Sequence, residues 1–150
     1  MENRPFTVGL TGGMAAGKST ALALFNDAHI ETWSADTVAH ALMHPDGLAY
    51  PAIHAHFGPE ILATDGQIDR ALLRKKIVQQ PQEKAWLEDY LHPLVRSALQ
   101  AAIVQARSPY VVVEIPLLTE SRHAYRWLDR ILLIGAEEAQ QKQRAAQRET

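Results

Sequence analysis

The chain of 150 residues contains no cysteine, which excludes disulfides and thiolate metal sites and suits a reducing cytoplasm. It also lacks a charge excess. Fifteen Lys and Arg against 17 Asp and Glu leave a net charge of -2, which argues against a general nucleic-acid or membrane-surface binder, so any basic site must be local. No apolar run approaches the roughly 18 uninterrupted residues of a membrane helix. The opening Met1-Glu2-Asn3-Arg4-Pro5 lacks the charged-then-apolar pattern of a secretory signal, and there are no internal repeats or low-complexity tracts. What is present, 47% hydrophobic and 21% charged residues, is a globular composition of single-domain length. The expectation is one cytoplasmic domain with no nucleic-acid or membrane partner. Composition leaves its oligomeric state open.

The residues Gly12-Gly13-Met14-Ala15-Ala16-Gly17-Lys18-Ser19 fit Gly-x-x-x-x-Gly-Lys-[Ser/Thr], at the point where a short apolar run gives way to a helix-like stretch. A chance match in a chain of this length is expected in about 0.5% of sequences. A strand feeding such a loop turns successive backbone N–H groups inward around phosphate oxygens, and the following helix adds the positive end of its dipole. Lys18 then reaches the β- and γ-phosphates of ATP, and the Ser19 hydroxyl ligates the bridging Mg²⁺. Thr20 reads as an ordinary helix residue beside the nucleotide loop. A glycine-rich turn joining strand to helix is the bland alternative, and it leaves Lys18 and Ser19 unexplained.

Residues 6–10 read as the first strand, and 19–26 as a helix with Leu22 and Phe25 three apart on one face. Residues 30–33 are a short second strand, followed by a helix over 35–44 that Pro45 ends. No strand is expected between 45 and 107, where 50–57, 69–80 and 82–107 read as helices. Asp69 is a natural N-cap, and a break is expected after His92, with Pro93 opening a new helix. The series Trp86, Leu87, Tyr90, Leu91 has core spacing. Residues 110–115, with Val111-Val112-Val113, and residues 130–134 are continuous apolar runs, the mark of strands covered on both faces. Strands separated by helices imply a parallel sheet, hence a three-layer α/β domain, with a polar helix over 136–150.

Phosphoryl transfer needs an oriented acceptor and positive charge beyond Lys18 and Mg²⁺. Asp36 follows the second strand at the carboxyl edge, where ligands of open α/β sheets collect. It can align an acceptor hydroxyl and take its proton late, or it can cap the following helix, as Ser34 can. Glu114 ends the valine-rich strand among apolar neighbours. Contact with Mg²⁺, its water shell or an arginine would offset the cost of burying it, and exposure at the strand end is the alternative. Arg144 and Arg148, four apart, suit a phosphate clamp in a lid or a solvated helix face. Among the seven histidines, His40 with His44 and His54 with His56 lack the His-Glu-x-x-His pattern, so surface or packing roles are preferred to metal binding. His92, four residues before Arg96, reads by default as a helix-end hydrogen bond, with ligand contact as the alternative.

Several spaced segments together resemble the dephospho-coenzyme A kinase family. They are Gly9-Leu10-Thr11-Gly12-Gly13, Gly17-Lys18-Ser19-Thr20, Ala35-Asp36, Phe57-Gly58-Pro59-Glu60-Ile61, Lys84-Ala85-Trp86-Leu87, Leu91-His92-Pro93-Leu94 and Pro116-Leu117-Leu118. The likeness runs from Thr7 to Arg148. It implies a P-loop kinase-like core over 1–44 and 108–135, a helical acceptor-binding insertion over 45–107 and the start of a lid over 136–150. The implied activity is ATP-dependent phosphorylation of the ribose 3′-hydroxyl of dephospho-coenzyme A. In that frame Asp36 is the base, Lys18 and the loop Gly12 to Thr20 hold ATP, and Arg148 and Arg144 are lid arginines. Thr11, His92, Arg96, Glu114 and Leu117 fall with Asp36 on the acceptor's side. Two departures stand out. Met14-Ala15-Ala16 replaces the family's usual glycine and serine, and Thr150 falls inside the lid, so a truncated chain or a shortened relative is expected. Another P-loop nucleotide or small-molecule kinase shares the loop but not the Leu-His-Pro-Leu and Pro-Leu-Leu segments, and a nucleotide-binding module without transfer activity is the remaining alternative.

Overall fold

Short β-branched runs alternate with helical spacing, and the chain folds accordingly. A computed structural model describes residues 4–12, 17–115 and 125–135. Its strands are β1 (Phe6–Gly12), β2 (Glu31–Ser34), β3 (Tyr110–Glu114) and β4 (Arg130–Ile134). Its helices are α1 (Lys18–Asp27), α2 (Ala35–Leu42), α3 (Tyr50–Phe57), α4 (Arg70–Gln79) and α5 (Pro81–Val104), with one 3₁₀ turn at Pro59–Ile61. The described residues fall into two compact units, one running up to Asp36 and resuming at Leu99, the other Thr37–Ala98.

In the first unit all strand pairs are parallel, in the order β2-β3-β1-β4. The expected α/β sheet is therefore present. Val111, Val112 and Val113 are each 0% exposed, as a central strand without polar alternation requires. Side chains alternate across the sheet, so Val8 and Leu10 of β1 share one face with Tyr110 and Val112 of β3, and this face packs on Ala21, Leu22 and Phe25 of α1. Leu22 and Phe25 meet the core as their spacing predicts. The second unit has its own core, in which Ile53 and Phe57 of α3 and Leu73 of α4 meet Leu87 and Leu91 of α5, with Trp86 and Tyr90 against its edge. Asp69 caps α4 as expected, its carboxylate accepting the N–H groups of Ala71 and Leu72 at 2.9 and 3.2 Å.

Two expectations fail. No new helix begins at Pro93, because α5 runs unbroken from Pro81 to Val104. Leu87, Leu91, Val95, Leu99 and Ile103 form one buried i, i+4 stripe through that point. Pro93 and Asp89 are both exposed, so the carbonyl that Pro93 cannot bond is left to water. Second, β4 is not covered on both faces. Among the described residues it pairs only with β1, at the sheet edge, and Ile131, Leu132 and Leu133 are 43%, 38% and 67% exposed. The helix expected over 136–150 lies outside the described residues.

Arg4 ties the start of β1 to the start of β4. Its guanidinium donates to Asp129 Oδ2 at 2.6 Å and to the Trp127 carbonyl at 2.6 Å, and Asp129 also accepts the Thr7 N–H at 2.8 Å. The Arg4 hydrogen bond, helped by Thr7 and opposed by partial burial, holds the Asp129 carboxyl below its ordinary 3.8. A lowered carboxyl pKa stabilises the fold above the unfolded value, and that contribution disappears as pH falls through the folded value. Asp129→Asn should therefore lower unfolding free energy by about 2 kcal/mol near neutral pH, measured by urea denaturation. The difference from wild type should shrink as pH drops below 3.8.

Candidate active site

At the end of β1 the chain enters α1 through Gly17, which has φ 100° and ψ 18°, the left-handed region. Glycine adopts it freely, and any side chain there would be strained. Among the described residues no side chain caps α1, and its first turn contains no acidic residue. The leading amides, which a helix cannot satisfy internally, are thus left for an outside acceptor together with the positive end of the dipole. Lys18 is the first residue of this helix, with its side chain 16% exposed, while Ser19 and Thr20 face solvent on the same turn.

The register then collects the carboxylates. Leu10 of β1 stands opposite Glu114 of β3, and Glu114 stands opposite Ser34 of β2, so three strands reach their carboxyl ends along one line. Glu114 is 19% exposed and faces Lys18, with Oε1 3.8 Å from Nζ. Among the described residues its ion-pair partner is Lys18, a cation the sequence reading did not name for it. Nothing local in the chain signals this pair, because the two residues meet only through the β1–β3 pairing.

Asp36 is exposed in the first turn of α2. The helix starts at Ala35, so the residue before it is Ser34, and Asp36 is not the N-cap. Among the described residues its carboxylate has no hydrogen-bond or ion-pair partner. Of the two sequence readings, capping is the one this geometry disfavours. Gly12 ends β1, and Thr11 before it is 5% exposed.

His92 and Arg96 belong to the second unit and lie one turn apart on α5, His92 exposed and Arg96 partly buried. His92 sits inside a continuous helix, so the helix-end position on which the default hydrogen bond rests is not where it lies. Two of the histidines set aside as metal ligands, His54 and His56, lie against other aromatic rings. His56 pairs with Glu83 and stacks on Trp86 at 3.7 Å, and no group of three or more His, Asp or Glu that could hold a metal exists among the described residues. Gly13, Met14, Ala15, Ala16, Leu117, Arg144 and Arg148 lie outside the described residues.

A parallel sheet whose first strand runs through a Gly-x-x-x-x-Gly-Lys-Ser segment into an uncapped helix, with carboxylates along the same edge, defines a phosphate-loop α/β protein of the kinase class. The model of one family within that class, Dephospho-CoA kinase, matches residues 6–150, and the chain belongs to this family. It is 45% identical over 146 residues to the Dephospho-CoA kinase of Xanthomonas oryzae pv. oryzae, covering 96% of this chain and 72% of that protein. The Vibrio cholerae Dephospho-CoA kinase is 41% identical over 145 residues, with 96% and 71% covered. Among solved structures, TT1252 from Thermus thermophilus superposes with a TM-score of 0.82 at 27% identity, over 97% of this chain and 73% of that one. The Dephospho-CoA kinase of Campylobacter jejuni, at 20% identity and TM-score 0.62, shares the fold.

The conformation of Gly17 yields a direct test. Gly17→Ala should cost about 1–2 kcal/mol of stability by urea unfolding, the strain of a β-carbon in the left-handed region.

Proposed function

We propose that the chain transfers the γ-phosphoryl of ATP to the ribose 3′-hydroxyl of dephospho-coenzyme A, giving coenzyme A and ADP. The observation that carries this is the acid-free start of α1 bearing Lys18, at the sheet edge where Glu114 also lies and where Asp36 has no partner among the described residues. The match to the Dephospho-CoA kinase family, as its name reads, supplies the acceptor.

In this mechanism the loop from Gly12 to Thr20 grips the nucleotide phosphates through its amides, and the Lys18 ammonium offsets charge on the β- and γ-groups. The acceptor oxygen attacks the γ-phosphorus in line as the bond to the β-phosphate oxygen breaks. Asp36 aligns that hydroxyl and takes its proton late, since a loose transition state demands positioning before proton removal. Arg144 and Arg148 serve as lid cations on the transferred group. Thr11, His92, Arg96 and Leu117 are assigned to the acceptor, with 1–44 and 108–135 as the core, 45–107 as the acceptor-binding insertion in its sequence, and 136–150 as the beginning of the lid.

Magnesium is part of the same proposal. Exposed Ser19 and the part-buried Glu114 carboxylate carry the hard oxygen donors it prefers, and no cage of three or more acidic or histidine ligands exists among the described residues, which suits an ion shared with substrate phosphates. Ser19 would hold it directly and Glu114 through its water shell. The ion would supply Lewis-acid neutralisation of charge on the bridging phosphate oxygens. Action in the cytoplasm is proposed on the lack of cysteine, and no described helix is long and apolar enough to cross a membrane.

An acceptor screen with radiolabelled ATP tests the assignment: label should appear on dephospho-coenzyme A, and transfer only to nucleoside monophosphates would reject it. Lys18→Ala should abolish measurable turnover. Asp36→Asn should lower kcat by roughly 10²- to 10⁴-fold with ATP affinity nearly unchanged, the range of a positioned acid or base. An unaltered kcat would remove Asp36 from the chemistry.

A further inference from the structure

Glu114 is the one carboxylate within ion-pair range of Lys18 among the described residues, with Nζ and Oε1 3.8 Å apart. Two features of this pair stand out. The side chains are only 16% and 19% exposed, so neither charge is well solvated and each would cost free energy if left alone. Yet the separation is too long for a hydrogen bond, unlike the 2.6 Å contacts of Arg4 with Asp129 and of Lys76 with Glu60. The pair is electrostatic and not hydrogen-bonded. It also lies at the start of α1, where the helix dipole favours any anion. A carboxylate in that place stands in charge and position close to where a phosphate oxygen would stand.

We propose that Glu114 is the resting counter-ion of Lys18, and that phosphate binding proceeds by exchange of this carboxylate for phosphate oxygens on the ammonium. The inference rests on the reading of Lys18 as the phosphate ligand and adds a cost to it. Each nucleotide that binds must displace Glu114 and then tolerate its negative charge nearby. The displaced carboxylate is at the same moment released to meet the hydrated cation that accompanies the phosphates, so the exchange links affinity for nucleotide to the presence of the metal. Glu114 is thus a positioning residue that sets how much of the intrinsic attraction between Lys18 and phosphate is realised without a cation.

The decisive measurement is calorimetric affinity for ATP, and separately for tripolyphosphate, in the presence of a chelator. Glu114→Gln keeps the shape and removes the charge. It should tighten metal-free binding of both probes by roughly three- to tenfold, through loss of a competing pair and of anion repulsion. Glu114→Asp, which keeps the charge but withdraws it by one methylene, should tighten binding less and serves if the Gln variant does not fold. Asp27→Asn removes one negative charge at the far end of α1 and should leave affinity within about twofold, since most of a helix length of solvent screening intervenes. Unchanged or weaker binding in both Glu114 variants, or an equal gain in Asp27→Asn, would overturn the exchange while leaving Lys18 as phosphate ligand. Failure of wild type to bind even Mg-ATP would overturn the phosphate site itself, and the exchange with it.

Discussion

Parallel pairing of β1 with β3 in one register is the constraint from which the rest of the first unit follows. With Leu10 opposite Glu114, the end of β1 cannot move along the sheet without carrying every inward valine of β3 out of its layer, because side chains alternate with a period of two. The same register places the first residue of α1 beside the last residue of β3, and Ser34 of β2 in line with both. Hydrophobic burial of Val111 to Val113, each 0% exposed, is therefore also what positions the charged groups. Packing energy along the strands holds ions at their ends.

The electrostatics at that edge are economical. Among the described residues, the start of α1 and Lys18 bring a helix dipole and a lysine together in a chain whose net charge is -2. Glu114 tempers their positive charge. A site of unopposed positive charge would bind any phosphate compound, and under the proposed exchange Glu114, 3.8 Å from Lys18, would make occupancy depend on how many charges the ligand brings and on the cation with it. The tight clamp of Arg4 on Asp129 at 2.6 Å, by contrast, joins the starts of β1 and β4, at the opposite end of the strands, where nothing needs to exchange.

Much of this was legible in the residues. Leu22 and Phe25 meet the sheet because their spacing is helical, Asp69 caps α4 because its carboxylate reaches back to the amides two and three residues on, and Val111 to Val113 are buried because the run has no polar alternation. Pro93 misled because its local effect, loss of one hydrogen bond, is smaller than the gain from the continuous stripe Leu87 to Ile103, and the stripe counts only when the facing core exists. The run 130–134 misled because an apolar strand looks the same in sequence whether it is central or at an edge.

The sequence by itself determined the elements and the phosphate loop, since helix spacing, strand runs and an eight-residue motif depend on neighbours within a few positions, and the combination of short segments was enough to indicate the family. Tertiary structure alone decided the order β2-β3-β1-β4, the exposure of β4, the unbroken α5, the absence of a partner for Asp36 among the described residues and the meeting of Lys18 with Glu114. Each of these depends on contacts between residues remote in the chain, whose energy comes from the assembled core and has no local trace.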